Sequence, residues 1–179
     1  ALLREFHGHA ARAVFDTGGT LTKFTGDGFM ATFGLPNTSG RDALNALSCA
    51  RLLAAAVDSF NAWRDIAGLP RARLAVGVHY GSLLIGALGS DKRTEIAVVG
   101  DTVNVASRLE RLCRTADGAV AASEALVAAA QAEDAEVAAR LLEGFRPLPP
   151  RRLRGRVAPV GVHLLPAAAR ATAAADNPL

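Results

Sequence analysis

Val98-Val99-Gly100-Asp101-Thr102-Val103-Asn104-Val105-Ala106-Ser107-Arg108-Leu109-Glu110 is the stretch on which the reading of this chain turns. A β-prone run, Ile96 to Val99, passes through Gly100-Asp101 into a helical pattern that spans Thr102 to Cys113. Asp101 reads as the helix N-cap, since a carboxylate there can accept from amides of the first turn. Asn104 and Arg108 stand four residues apart and therefore share one helix face. Taken alone, such a face is an ordinary solvated one.

Upstream, the helix pattern carried by Leu2, Leu3, Phe6, Ala10, Ala13 and Val14 stops at Thr17-Gly18-Gly19. Two β-prone runs follow, Thr20 to Thr25 and Phe29 to Phe33, joined by Gly26-Asp27-Gly28. Asp-Gly supplies the positive φ of a tight hairpin turn. From Asp42 to about Ala67 the Ala/Leu-rich pattern predicts a long helix ending at Gly68. A second hairpin is expected from Arg73 to Tyr80 and Ser82 to Leu88, turning at Gly81. Downstream lie a short strand, Ala119 to Ala122, a helix opening at Ser123-Glu124, and an Ala-rich segment to about Leu142. Two β-prone stretches then flank an Arg cluster, the last being Pro159 to Leu165. The order helix, two strands, helix, two strands, helix, strand predicts an α+β, ferredoxin-like sandwich with a mostly antiparallel sheet, not an alternating parallel series.

The bulk properties suit one domain. The 179 residues are 50% apolar and 21% charged, enough for a single core and little beyond it. We expect the domain to span residues 1–166, followed by an Ala-rich tail, 167–179. Twenty basic against seventeen acidic residues give a net charge of +3. With the basic residues scattered, no nucleic-acid partner is indicated. Arg151, Arg152, Arg154 and Arg156 either hold an anion with their forked donors or form a solvated basic turn. Cys49 and Cys113 sit in apolar helical patterns and suggest neither a disulfide framework nor a CxxC metal site, which fits a reducing, cytoplasmic compartment. No apolar run approaches the length of about 20 residues that spans a bilayer, so no direct membrane insertion by this domain is expected. His7, His9, His79 and His163 show no useful metal-ligand spacing.

Two stretches together resemble the class III adenylyl and guanylyl cyclase family: Gly18-Gly19-Thr20-Leu21-Thr22-Lys23-Phe24-Thr25-Gly26-Asp27-Gly28-Phe29-Met30-Ala31-Thr32-Phe33-Gly34, and the Val98–Glu110 run quoted above. Val76-Gly77-Val78-His79-Tyr80-Gly81 and Gly86-Ala87-Leu88-Gly89-Ser90 between them are similar to the same family, and the likeness extends over roughly residues 1–165. The resemblance implies the family's α+β sandwich and conversion of ATP into 3′,5′-cyclic AMP and pyrophosphate. It also implies a homodimer with composite sites in which Lys23, Asn104 and Arg108 of one protomer face Asp27 of the other.

By the same resemblance, Asp27 is a metal ligand that works with a second Asp on an earlier strand to hold two divalent ions, Mg²⁺ or Mn²⁺, against the triphosphate. Asn104 orients the ribose, and Arg108 stabilises charge on the α-phosphoryl oxygens in the transition state. Lys23 contacts adenine, and its usual Asp or Thr partner in base reading is replaced by Ala97. Lys23 favours ATP, because guanylyl cyclases carry Glu there; the bare methyl of Ala97 leaves GTP possible. Arg154 stands where the family has a Lys on the terminal phosphates.

The family's opening strand, with Phe-x-Asp-Ile/Val and a phosphate-binding turn, does not precede Asp27 here; the only earlier carboxylates are Glu5 and Asp16. The second Asp is therefore expected upstream of Ala1, along with a sensor or regulatory domain. The alternative is a catalytically silent cyclase-homology domain acting as a nucleotide-binding or regulatory dimerisation module.

Overall fold

The computed structural model describes residues 2–90, 93–152 and 158–169, with side chains described outside 2–6 and 87–99. The elements are α1 (Leu2–Asp16), β1 (Thr20–Thr25), β2 (Gly28–Thr32), α2 (Asp42–Ile66), β3 (Val76–Val78), β4 (Leu84–Ser90), β5 (Arg93–Val99), α3 (Asp101–Thr115), β6 (Gly118–Ser123), α4 (Glu124–Glu133), α5 (Ala135–Leu141), β7 (Arg146–Arg151) and β8 (Val160–Pro166). The α+β class is as expected.

The core is organised around β6. All six of its residues are buried, and it lies between β3 and β8 in a sheet of order β3-β6-β8-β7. Alternation along the strand sends Ala121 toward Val105, Leu109 and Cys113 of α3, and Ala122 toward Leu47 of α2 and Leu126 of α4. A strand covered on both faces reads as an unbroken apolar run, and alanines let the helices come close.

The second hairpin forms, but not from the expected strands. β3 pairs in parallel with β6 (Val76↔Val120, Val78↔Ala122), while β4 turns back on β5 (Leu84↔Val99, Gly86↔Ala97). Arg73 to Ala75 stay outside any strand. Gly81 looked like a turn because it is a glycine between apolar runs. Tertiary burial of β3 between α2 and α3 decides the pairing instead.

One helix end differs from expectation, and two others carry features that the sequence did not announce. The N-cap of α3 is Gly100, with no side-chain hydrogen bond, and Asp101 is already in the first turn. The Ala-rich stretch after Ser123 divides into α4 and α5 at Asp134, which is extended and whose carboxylate caps α5 through the Val137 amide. The start of α2 is capped from afar: Glu133 accepts from the amides of Ala43 (3.0 Å) and Leu44 (2.9 Å), placing negative charge at the positive end of the helix.

The sequence showed no bilayer-length run, yet the 25 residues of α2 are long and apolar enough to meet that test. Its many alanines raise mean hydropathy without adding bulk. Nearly half of the apolar window is buried against the rest of the fold, as in the core helix of a globular domain.

Candidate functional site

β1 and β2 meet at a two-residue loop. Thr25↔Gly28 is the last cross-strand pair, so Gly26 and Asp27 are the central residues of the turn. Gly26 takes the positive φ, 63°, and Asp27 does not. That is the pattern of a II′ turn, and it corrects the expectation that Asp-Gly supplies it. The register slips between Leu21 and Lys23, and Thr22 Oγ1 donates to the Met30 carbonyl (3.0 Å) within the slip. The bulge re-aims the end of the strand. Leu21 still packs on α1, whereas Lys23, Phe24, Thr25 and Asp27 are exposed.

A groove of about 1540 Å³ lies between this hairpin and β3. Lys23, Thr25 and Asp27 line one rim; Thr102, Ser107 and Arg111 of α3 line another, with His79 and Tyr80 near them. The volume exceeds the roughly 300–1,000 Å³ of closed small-molecule pockets, which marks an open cleft.

α3 is held by a buried stripe, Val105, Leu109 and Cys113, packed on β6 and β8. The groove takes Val103, Ala106, Ser107 and Glu110 from one flank of that stripe. Asn104 and Arg108, each one position before a stripe residue, do not line the groove, although Arg111, three positions after Arg108, does. Asn104 is exposed. Arg108 is half-buried, and its Nη1 is shut off from solvent with no hydrogen-bond acceptor among the described residues. Holding a cationic donor in that way is unfavourable until an anion meets it.

One protomer thus unites Lys23 and Asp27, and unites Asn104 with Arg108, but does not bring the two pairs into one cavity. Ala97 lies on β5, opposite Gly86, and β5 touches β1, so the strands of Lys23 and Ala97 are neighbours. Arg154 lies outside the described residues; Arg151 and Arg152, at the end of β7, are exposed. Cys113 is a packing residue: burial pushes its thiol up to about 11, and its Sγ meets the Val76 carbonyl at 3.4 Å. Sequence reasoning missed two groove-lining residues, Ser107 within the same motif and Arg111 just after it. It also missed the contact of His79 with Ser123, 44 positions apart, which no local signal announces.

Of the carboxylates lining the groove, Asp42 accepts from Ser39 and Glu110 pairs with Arg114, while Asp27 stands exposed at the hairpin tip; no cluster of three or more His, Cys, Asp or Glu side chains occurs among the described residues. One exposed carboxylate at a groove rim suits Mg²⁺, which is often bound by one or two carboxylates together with substrate phosphates.

Comparison with known proteins identifies the family. The family model described as adenylate and guanylate cyclase catalytic domain matches residues 2–142. Adenylate cyclase 1 of Rhizobium meliloti (strain 1021) is 34% identical over 156 residues, covering 87% of this chain and 22% of that protein. The crystal structure of the adenylyl cyclase CyaB from P. aeruginosa superposes with a TM-score of 0.74 at 25% identity, covering 94% of this chain and 82% of that one. The crystal structure of the guanylyl cyclase Cya2 gives 0.71 at 26% identity, covering 91% and 77%. The chain spans about a fifth of the length of the curated relatives it matches first.

Proposed function

We propose, from the premise that the chain belongs to the adenylate and guanylate cyclase catalytic domain family, that it converts a nucleoside triphosphate, ATP in preference to GTP, into the 3′,5′-cyclic nucleotide and pyrophosphate. The observation that carries this reading is Arg108: a guanidinium half-sunk beside a core stripe, with one donor shut off from solvent and unpaired among the described residues, is a preorganised anion contact.

In the reaction the ribose 3′-oxygen bonds to the α-phosphorus and loses its proton, while the bond from that phosphorus to the oxygen bridging to the β-phosphate breaks. Negative charge grows on the α-phosphoryl oxygens as pyrophosphate leaves. Arg108 donates to those oxygens, where fixed donors lower the barrier most. Asn104, one turn earlier on the same flank, holds the ribose. Lys23 donates to the base from the neighbouring hairpin, and Ala97 beside it adds no polar contact. Arg154 is assigned to the terminal phosphates on sequence alone. Asp27 would hold a divalent cation, Mg²⁺ or Mn²⁺, which when bound with a second carboxylate from upstream supplies charge neutralisation at the phosphates.

Asn104 and Arg108 do not line the groove that holds Lys23 and Asp27. Two protomers related by a two-fold axis would complete two equivalent sites, each drawing Asp27 from one chain and Arg108 from the other. The partners are therefore the nucleotide and a second copy of the chain. The test uses the full-length parent protein with ATP or GTP and Mg²⁺ or Mn²⁺, following cyclic nucleotide and pyrophosphate by chromatography. Equimolar formation of both products is expected. Nucleotide binding without any cyclic product would favour the silent regulatory module.

A further inference from the structure

We infer that His79 is a positioning residue: it ties the first turn of α3, and hence Asn104 and Arg108, to the core of the fold. As far as catalysis is concerned, the inference rests on the cyclase reading above. The starting observation is that α3 begins without a side-chain cap, because its N-cap is Gly100. Its first amides have no intrahelical partner, so the placement of that end depends on contacts from elsewhere.

Those contacts form a short relay. Ser123, at the end of β6, is fully buried, and its Oγ accepts from the Leu126 amide (3.2 Å) to cap α4. His79, the residue after β3, places Nδ1 2.7 Å from the same oxygen. The imidazole is thereby anchored to the most buried strand of the sheet. Its other edge faces the space beside Gly81, where an added Cβ would sit 3.5 Å from His79 Nε2 and 2.6 Å from Thr102 Oγ1. Thr102, the second residue of α3, donates from Oγ1 to the Ser82 carbonyl (2.7 Å). The bonds from Ser123 to His79 and from Thr102 to Ser82 are thus joined through the short segment 79–82, which runs from the core to the helix start. Asn104 and Arg108 follow two and six positions later. Because a displacement of about 1 Å at a reacting centre can cost on the order of 10² in rate, a relay that fixes the helix end matters to kcat more than to nucleotide affinity.

The experiment compares full-length parent protein with its His79→Leu, His79→Asn and Thr102→Val variants by two readouts. The first is amide exchange without nucleotide. Losing one hydrogen bond should speed exchange at Ser82 and from Asn104 to Arg108 by about fivefold in His79→Leu, with β8 and α5 unchanged. His79→Asn, whose amide can meet Ser123 Oγ, should stay within about twofold of the parent. The second readout is steady-state cyclase activity, with kcat lower by about tenfold in His79→Leu, KM nearly unchanged, and recovery in His79→Asn. If His79→Leu does not fold, Thr102→Val decides, since it removes only the last link and should speed exchange at the start of α3 alone. Unchanged exchange at the start of α3, a uniform rise across the molecule, or an Asn variant that behaves like Leu would overturn the inference. A parent protein that forms no cyclic nucleotide would refute the cyclase reading while leaving the exchange result to stand.

Discussion

Gly26 and Gly77 stand behind the two halves of the candidate site and are required for opposite reasons. Gly26 has open space around it but a positive φ of 63°, which an L side chain adopts at a cost of about 1–2 kcal/mol. Gly77 has an unremarkable backbone but no space: a Cβ there would collide with the Ala106 carbonyl and the Glu110 amide of α3. The hairpin bearing Lys23 and Asp27 is held by local turn chemistry and cross-strand pairs, with its tip in solvent. The helix bearing Asn104 and Arg108 is held by close packing of β3 and β6 on a buried stripe. A site divided in this way has one adjustable wall and one rigid wall. The rigid one carries the group assigned to the transition state, where geometry is least forgiving.

Breaking the rigid wall should have the largest effect. Gly77→Ala should destabilise the chain by about 3 kcal/mol or more, because backbone cannot yield as a flexible side chain can. Urea denaturation would measure the loss, and a change below about 1 kcal/mol would mean that β3 and α3 separate easily. Next comes Arg108→Ala, expected to lower kcat by on the order of 10² with KM little changed. Equal rates for variant and parent would reduce Arg108 to a solvated helix residue.

The adjustable wall should give smaller effects. With Lys23 donating to the base and Ala97 contributing no acceptor, ATP should be preferred over GTP by about tenfold or less in kcat/KM, and Ala97→Asp should raise that ratio. Parallel initial rates with both nucleotides decide this; a clear GTP preference would overturn the role given to Lys23. The smallest effect is expected from Gly26→Ala, about 1 kcal/mol in thermal denaturation, from the turn alone. If it matched Gly77→Ala, the hairpin would be as firmly fixed as the helix and the contrast would fail.

Local chemistry made much of this protein legible from sequence. Glycine-bounded hairpin runs, a 3.6-residue apolar period and the Asn104/Arg108 spacing fix where β1, β2, α2 and α3 lie, because each depends on residues close in the chain. The helix start at Ser123-Glu124 was legible for the same reason. Pairing was not: whether β3 joins β4 or β6 depends on which surface buries it, and alternating apolar residues are satisfied by either partner. The cap of α2 by Glu133 and the bond from His79 to Ser123 join positions 90 and 44 apart and carry no periodic trace. The sequence also placed Asp101 at the cap of α3, whereas packing of Thr102 against Gly81 and Ser82 starts the helix one residue earlier and leaves Gly100 there. Residue chemistry and spacing, then, determine which groups this chain offers to a nucleotide. Only tertiary packing decides that they stand on one face of a core helix and on a separate hairpin, because burial and close contact act between residues that sequence leaves far apart.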